Sequence, residues 1–171
     1  MRVASPIPTG YRRRLIAGLV CALLFGGSPS SANATEAEPV KEYKNQINGL
    51  CVAATPKLVT SARAVKRAST RAALIAAFDR YVAIGTGLDR TILKIPVPTA
   101  VRVGIAPFLR LTRQGDALVV RAADALRTGD LSLFARLGAQ LDALGKTYDR
   151  IADALGLRAC GSNITRALNR A

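Results

Sequence analysis

Residues 130–156 read DLSLFARLGAQLDALGKTYDRIADALG, and the spacing of their apolar side chains decides the fold class. An α-helix has about 3.6 residues per turn, so apolar residues that alternate at intervals of three and four share one face. Asp130 is expected to cap the start of this helix, and Gly156 to end it in a left-handed conformation. The apolar face is formed by Phe134, Leu137, Leu141, Leu144, Tyr148, Ile151 and Leu155.

Three further segments carry the same spacing, at residues 40–65, 74–95 and 101–126. No stretch alternates polar and apolar residues for long enough to form a sheet, and the connections are short. Short connections favour antiparallel packing of neighbouring helices. The sequence therefore predicts an all-α protein, an up-down-up-down four-helix bundle stapled by one disulfide.

Single residues set the expected limits of these helices. Ser69 is expected to cap the second helix, and Pro96 ends it. Pro107 either kinks the third helix or forms its first turn. Beyond Pro56 the spacing in the first helix is less regular, so its second half is the least defined part of the bundle.

Residues 1–34 have the composition of a signal peptide. Three arginines at 12–14 precede twelve mostly apolar residues, and an A-x-A site at residues 32–34 predicts cleavage after Ala34. The apolar run is shorter than the roughly 18 residues that a transmembrane anchor needs, so no anchor is expected after cleavage. The arginines fit both the general and the twin-arginine export routes.

Cleavage leaves residues 35–171, which suffice for one domain with one core. The bundle is expected to span residues 35–161 and to be followed by a mobile tail at residues 162–171. The expected location is extracytoplasmic, either secreted or associated with the cell envelope. The oligomeric state is left open.

The cysteines support the same location. Cys21 is discarded with the signal, and an oxidising environment favours pairing of the remaining Cys51 and Cys160. Such a disulfide closes a loop of about 110 residues and stabilises the fold by roughly 4 to 5 kcal/mol. Because Cys51 lies more than three turns inside the first helix, either the chain after Gly156 doubles back or the first helix overhangs the bundle.

Two motifs surround these cysteines, YKNQINGLC at residues 43–51 and ADALGLRACG at residues 152–161. They resemble the Tyr-x-x-x-Ile-Asn-x-x-Cys start and the Ala-x-x-Leu-Gly-Leu-x-x-Cys-Gly end of small exported helical proteins of high-GC Gram-positive bacteria. The resemblance implies a helical fold and a disulfide. It implies no activity and no catalytic residue.

The chain contains no histidine, which excludes His-based triads, most zinc sites and Glu-x-x-His di-iron sites. No enzyme activity, cofactor or metal is therefore expected. Asp142, Asp149 and Asp153 align opposite the apolar face of the fourth helix and are expected to face solvent. Gly85 and Gly87 are expected to allow close packing of helices.

Basic residues outnumber acidic ones. The chain has 25 Lys and Arg and 11 Asp and Glu. Residues 1–34 contain four of the arginines and no acidic residue, so residues 35–171 carry 21 basic and 11 acidic side chains, a formal charge of +10. Such a surface attracts anionic lipid or wall polymer, whereas the export signal argues against nucleic acid. Five residues are expected to form an anion-binding end of the bundle, unless they are only a solvated surface: Arg63, Lys66, Arg67, Arg71 and Arg127.

Two functions follow from these observations. The first is a non-enzymatic exported module that associates with anionic cell-envelope components through its basic surface. The alternative is a carrier of a small apolar ligand, with a cavity between helices. Aromatic residues such as Phe78, Tyr81 and Phe134 lie on the apolar faces, where either core packing or a cavity wall accounts for them.

Overall fold

A computed structural model of the protein describes residues 37–171. Within these residues the chain is all-helical and has no strand, which confirms the predicted fold class. The signal predicted at residues 1–34 lies outside the described residues. The elements are α1 (Glu38–Arg67), α2 (Arg71–Lys94), a short 3-10 helix (Thr99–Val101), α3 (Arg102–Thr128), α4 (Leu131–Ala154) and α5 (Ser162–Asn169).

Two of the three predicted helix caps are confirmed. The carboxylate of Asp130 accepts a hydrogen bond of 2.8 Å from the backbone N–H of Leu133, and Gly156 has a φ of 78° just after α4. The prediction for Ser69 is wrong, because α2 begins one residue later than that cap requires. The side chain of Thr70 accepts the capping hydrogen bond instead.

Prolines lie inside two of the long helices. Helix α1 continues through Pro56 over 30 residues, so its irregular second half is helical, and Leu58 and Ala62 in that half are buried. Helix α3 begins at Arg102, which places Pro107 in its interior and not in its first turn.

Consecutive long helices pack against each other, and α5 packs on α1 and α4. The chain direction changes by 117° between α2 and the segment Thr99–Thr128. Within residues 37–171 no single helix combines the length and the apolar character needed to cross a membrane. The bent pair formed by α2 and that segment meets the criteria by length and composition only.

Residues 162–171, predicted to be a mobile tail, contain helix α5, which packs on α1 and α4. Leu168 is buried together with Leu58 and Ala62 of α1. A helix of eight residues is too short to be stable alone, so its stability depends on these contacts. The prediction failed because so short an apolar pattern shows its partner only in the folded chain.

The largest cluster of buried residues surrounds the disulfide, and we call this region the disulfide end. Cys51 and Cys160 form the predicted disulfide, with Cα atoms 5.1 Å apart. Around it Ile47, Ile92 and Phe108 are fully buried. These residues come from α1, α2 and α3, so the disulfide end joins three of the long helices.

The chain after α4 doubles back along α1 to reach Cys51, which is the first of the two predicted arrangements. Asn48 of α1 holds this return segment at two points. Its side-chain amide donates a 3.0 Å hydrogen bond to the carbonyl of Gly156, and its side-chain oxygen accepts a 3.1 Å hydrogen bond from the backbone N–H of Ala159. Cys160 then follows directly.

Candidate ligand-binding cavities

A cavity of about 240 Å³ lies between the helices on the far side of the fold from Ile47 and Phe108. We call it the apolar cavity, because most of its wall is aromatic or aliphatic. Phe78 and Phe134 meet edge to face in this wall, with ring centroids 5.5 Å apart. Its main apolar lining residues are Phe78, Tyr81, Val119, Phe134, Leu141 and Leu168.

A second cavity, of about 230 Å³, adjoins the first. We call it the acidic cavity, because Asp89 of α2 and Asp116 of α3 line it. The disulfide forms another part of its wall. Four residues line both cavities and form the boundary between them: Tyr81, Val119, Leu141 and Leu168.

Asp89 and Asp116 both line the acidic cavity, and a hydrogen bond with Asp116 is one cause of the shifted pKa of Asp89. Burial, this hydrogen bond and the negative charge of Asp116 together raise the pKa of Asp89 to about 8. Near neutral pH Asp89 is therefore mostly protonated, and one proton links the two carboxyl groups. Such a pair can release a proton, or its oxygens can accept hydrogen bonds from a cationic group.

Tyrosines enclose the carboxyl pair. Burial and the charge of Asp89 raise the pKa of Tyr81, and the same two causes raise the pKa of Tyr148. A hydrogen bond with Thr112 lowers the pKa of Tyr148 by less than burial and the charge of Asp89 raise it. The centroid of the Tyr148 ring lies 5.0 Å from that of Phe108. Both phenols therefore stay neutral throughout the pH range in which Asp89 titrates.

Glycines leave the acidic cavity open. Gly85, Gly115 and Gly145 line it, one each from α2, α3 and α4. A Cβ atom at Gly85, Gly87 or Gly145 would meet nothing within 4 Å, and one at Gly115 would make an ordinary 3.5 Å contact. The predicted close packing at Gly85 and Gly87 is therefore wrong, because no neighbouring helix approaches these positions.

The sequence predicted that the aspartates of α4 face solvent. In the structure they do not all do so. Asp149 accepts a 3.1 Å hydrogen bond from the hydroxyl of Thr165, and Asp153 accepts one of 3.1 Å from the backbone N–H of Ser162. Both contacts attach α5 to α4. Asp142 lines the apolar cavity, and burial raises its pKa.

Gly161 lets α5 approach α4 closely. A Cβ atom there would lie 2.6 Å from the carboxylate oxygen of Asp153 and 3.0 Å from the carbonyl oxygen of Asp149. Neither atom can move away cheaply, because the Asp153 carboxylate holds the N–H of Ser162 and the Asp149 carbonyl belongs to the backbone of α4. The glycine therefore determines how near α5 lies to the two cavities.

Two of the five predicted anion-binding residues come together. Arg71, at the start of α2, donates hydrogen bonds of 3.2 and 2.9 Å to the carbonyls of Leu126 and Arg127 at the end of α3. The side chain of Arg127 forms an ion pair of 2.7 Å with Asp79 and a second with Asp124. Both guanidinium groups are therefore already bound within the protein.

The other three predicted residues lie near the end of α1. Arg63 and Arg67 are exposed, and Lys66 is half-buried. Their role in anion binding stays a prediction.

The sequence analysis missed Asp89 and Asp116. One sequence signal was present, because Asp89 follows Gly85 by one helical turn and Asp116 follows Gly115 directly. A carboxylate close to a glycine on a largely apolar helix face indicates a polar position with free space beside it.

Comparison with protein-family models, with curated proteins and with solved structures gives no match. Within residues 37–171, no group of three or more His, Cys, Asp or Glu side chains is placed to hold a metal ion.

Proposed function

We propose that this protein is an exported helical module that binds a small apolar ligand between its helices and does not turn it over. The observation that carries the proposal is the apolar cavity, about 240 Å³ in volume, in whose wall Phe78, Tyr81 and Leu141 remain only partly buried. A dry cavity of about 150 Å³ accommodates benzene, so this cavity suits a ligand of one or two rings.

The walls of the apolar cavity come from every α-helix, including α5 through Leu168. Filling the cavity would bury the exposed parts of these side chains, at about 25 cal/mol per Å² of apolar surface. Ligand binding is therefore expected to be driven mainly by burial of apolar surface in this cavity.

A thermal-shift titration with benzyl alcohol tests the proposal. Binding should raise the melting temperature of the wild type. Val65→Phe, which places a ring in the wall of the apolar cavity, should remove most of the shift. Val52→Phe makes the same change on the exposed side of α1 and should leave the shift intact. No shift in the wild type, equal shifts in the two variants, or consumption of the ligand would contradict the proposal.

The up-down-up-down bundle is part of this proposal. Packing of consecutive long helices supports it, and so does the contact of Arg71 with the end of α3, which puts the α1–α2 and α3–α4 connections at one end. The 117° change of direction after α2 indicates that the α1–α2 pair crosses the α3–α4 pair at an angle.

Export through the signal at residues 1–34 and the resemblance to small exported helical proteins remain proposals too. A disulfide is typical of an oxidising compartment, which supports export.

A second candidate is association with anionic lipid or wall polymer through the basic surface. The exposure of Arg63 and Arg67 favours it. Arg63→Gln with Arg67→Gln should weaken binding to phosphatidylglycerol vesicles more than Arg158→Gln with Arg166→Gln, which removes the same charge from exposed sites near the other end of the chain. Equal losses would mean that only net charge matters.

A further inference from the structure

We infer that the acidic cavity is the polar end of the ligand site and that it selects an apolar molecule carrying one protonated amino group. The inference rests on the proposed ligand-binding function and adds the chemical class of the ligand. The amino group would contact Asp89 and Asp116, while the apolar body would lie in the apolar cavity.

The first support is that the two cavities adjoin. Tyr81, Val119, Leu141 and Leu168 line both, so a ligand in the apolar cavity has the acidic cavity as its direct neighbour. A molecule that extends across this boundary would place one end beside apolar rings and the other beside the carboxyl pair.

The second support is the sign of the charge. Residues 35–171 carry 21 basic side chains against 11 acidic ones, yet among the described residues that line the two cavities the charged ones are all aspartates. These are Asp89, Asp116, Asp142 and Asp149. A site whose charged lining residues are all acidic, inside a strongly basic protein, complements a cationic ligand and rejects an anionic one.

The third support is the space beside the carboxyl pair. A Cβ atom at Gly85 or Gly145 would meet nothing within 4 Å. Alanine favours a helix over glycine, so glycine in these open helical positions costs stability. That cost keeps open the room that an amino group and its first carbons need.

Proton exchange makes the binding step specific. Without a ligand, one proton links Asp89 to Asp116. On binding, N–H groups of the ammonium donate to both carboxylates, and the displaced proton leaves to solvent, so the charges balance. The titratable groups facing the pair are Tyr81 from α2 and Tyr148 and Asp149 from α4, and the tyrosines stay neutral. With Asp89 at a pKa of about 8, affinity should rise with pH from 6 to 8.

Benzylamine and benzyl alcohol are matched probes, because they share the ring and differ in the charged group. A charge-assisted hydrogen bond contributes about 1.5 to 3 kcal/mol, so benzylamine should bind the full mature chain at least about tenfold more tightly at pH 7. Asp89→Asn and Asp116→Asn should each remove this advantage and leave benzyl alcohol affinity within about twofold. Asp124→Asn removes an exposed carboxylate and serves as the control.

Calorimetric titration in two buffers of different ionisation enthalpy counts the protons. Benzylamine should release up to one proton per molecule bound at pH 7, and benzyl alcohol none. Equal affinities of the two probes, or amine binding that survives Asp89→Asn, would overturn the inference and leave the apolar site standing. Failure of both probes to bind would reject the proposed function itself. Stabilisation by calcium chloride through the same two aspartates would overturn the inference in favour of a metal site.

Discussion

The disulfide end and the cavity region, by which we mean the residues that line the apolar and acidic cavities, are built from the same helices and meet at the disulfide, yet they use their side chains differently. At the disulfide end Ile47, Ile92 and Phe108 are fully buried. In the cavity region Phe134 is equally buried, but Phe78 and Tyr81, whose rings are no smaller, remain only partly buried. The contrast indicates that the disulfide end supplies stability and thereby permits the cavity region to be incompletely packed. Each experiment below separates the two regions.

Removal of the disulfide should have the largest effect. Cys51→Ala with Cys160→Ala releases a loop constraint of 109 residues, so the free energy of unfolding should fall by about 4 to 5 kcal/mol. Denaturation by guanidinium chloride measures it. Val52→Ala, at the exposed neighbouring position, should change it by less than about 0.5 kcal/mol. A double variant as stable as the wild type would refute the assignment of stability to the disulfide end.

A pair of phenylalanines compares the two regions directly. Phe108→Ala removes a fully buried ring and should cost about 3 to 5 kcal/mol. Phe78→Ala should cost only about 1 to 2 kcal/mol, because its ring borders a cavity and less of its apolar surface is buried in the folded protein. Urea denaturation of both variants gives the difference. Equal losses would mean that the two regions are packed alike.

The cavity region should also respond to pH through Asp89. Its pKa is about 8 in the folded protein and near 4 in the unfolded chain. The folded state therefore holds the proton more tightly, and this stabilising contribution is complete below about pH 4 and is lost as the pH rises through 8.

Asp89→Asn removes this dependence. The stability of the variant relative to the wild type should increase between pH 5 and pH 8, by no more than about 1.4 kcal/mol per pH unit. Urea denaturation of the two proteins at matched pH isolates the term from the other carboxylates. A constant difference would show that Asp89 titrates normally.

Two glycines give the smallest effect. Gly85 lines the acidic cavity, whereas Gly49 lies on the exposed side of α1. In Gly85→Ala and Gly49→Ala the new methyl group meets no neighbour within 4 Å. Each should raise the free energy of unfolding by about 0.5 to 1 kcal/mol. Only Gly85→Ala should weaken benzylamine binding, as measured by calorimetry. The same loss in both variants would remove the distinction between cavity space and helix propensity.

Periodicity and capping within one segment were sufficient to predict the long helices. The apolar spacing and the caps of α4 are local features, so Asp130 and Gly156 could be assigned from their own neighbourhoods. The disulfide was predictable from the number of cysteines and the expected compartment. The mistaken cap at Ser69 shows that a helix start is uncertain by one residue when two hydroxyl side chains adjoin.

The candidate site depends on how helices are rotated against each other, and no single segment carries that information. Asp89 and Asp116 meet only because α2 and α3 turn these faces toward one another. The partner of Arg127 at Asp79 is 48 residues away in the sequence, so the charge count overstated how many cations are free to bind an anion.

The position of the disulfide also sets the order of events while the chain is made. Cys51 precedes Cys160 by 109 residues, and at a synthesis rate of about 5 to 20 residues per second its partner follows roughly 5 to 20 s later. During that interval α1, α2, α3 and α4 are all completed. The Cys51–Cys160 disulfide, whose formation needs an external oxidant to accept two electrons, therefore forms last, and a free thiol at Cys51 is a chemical mark of an unfinished chain.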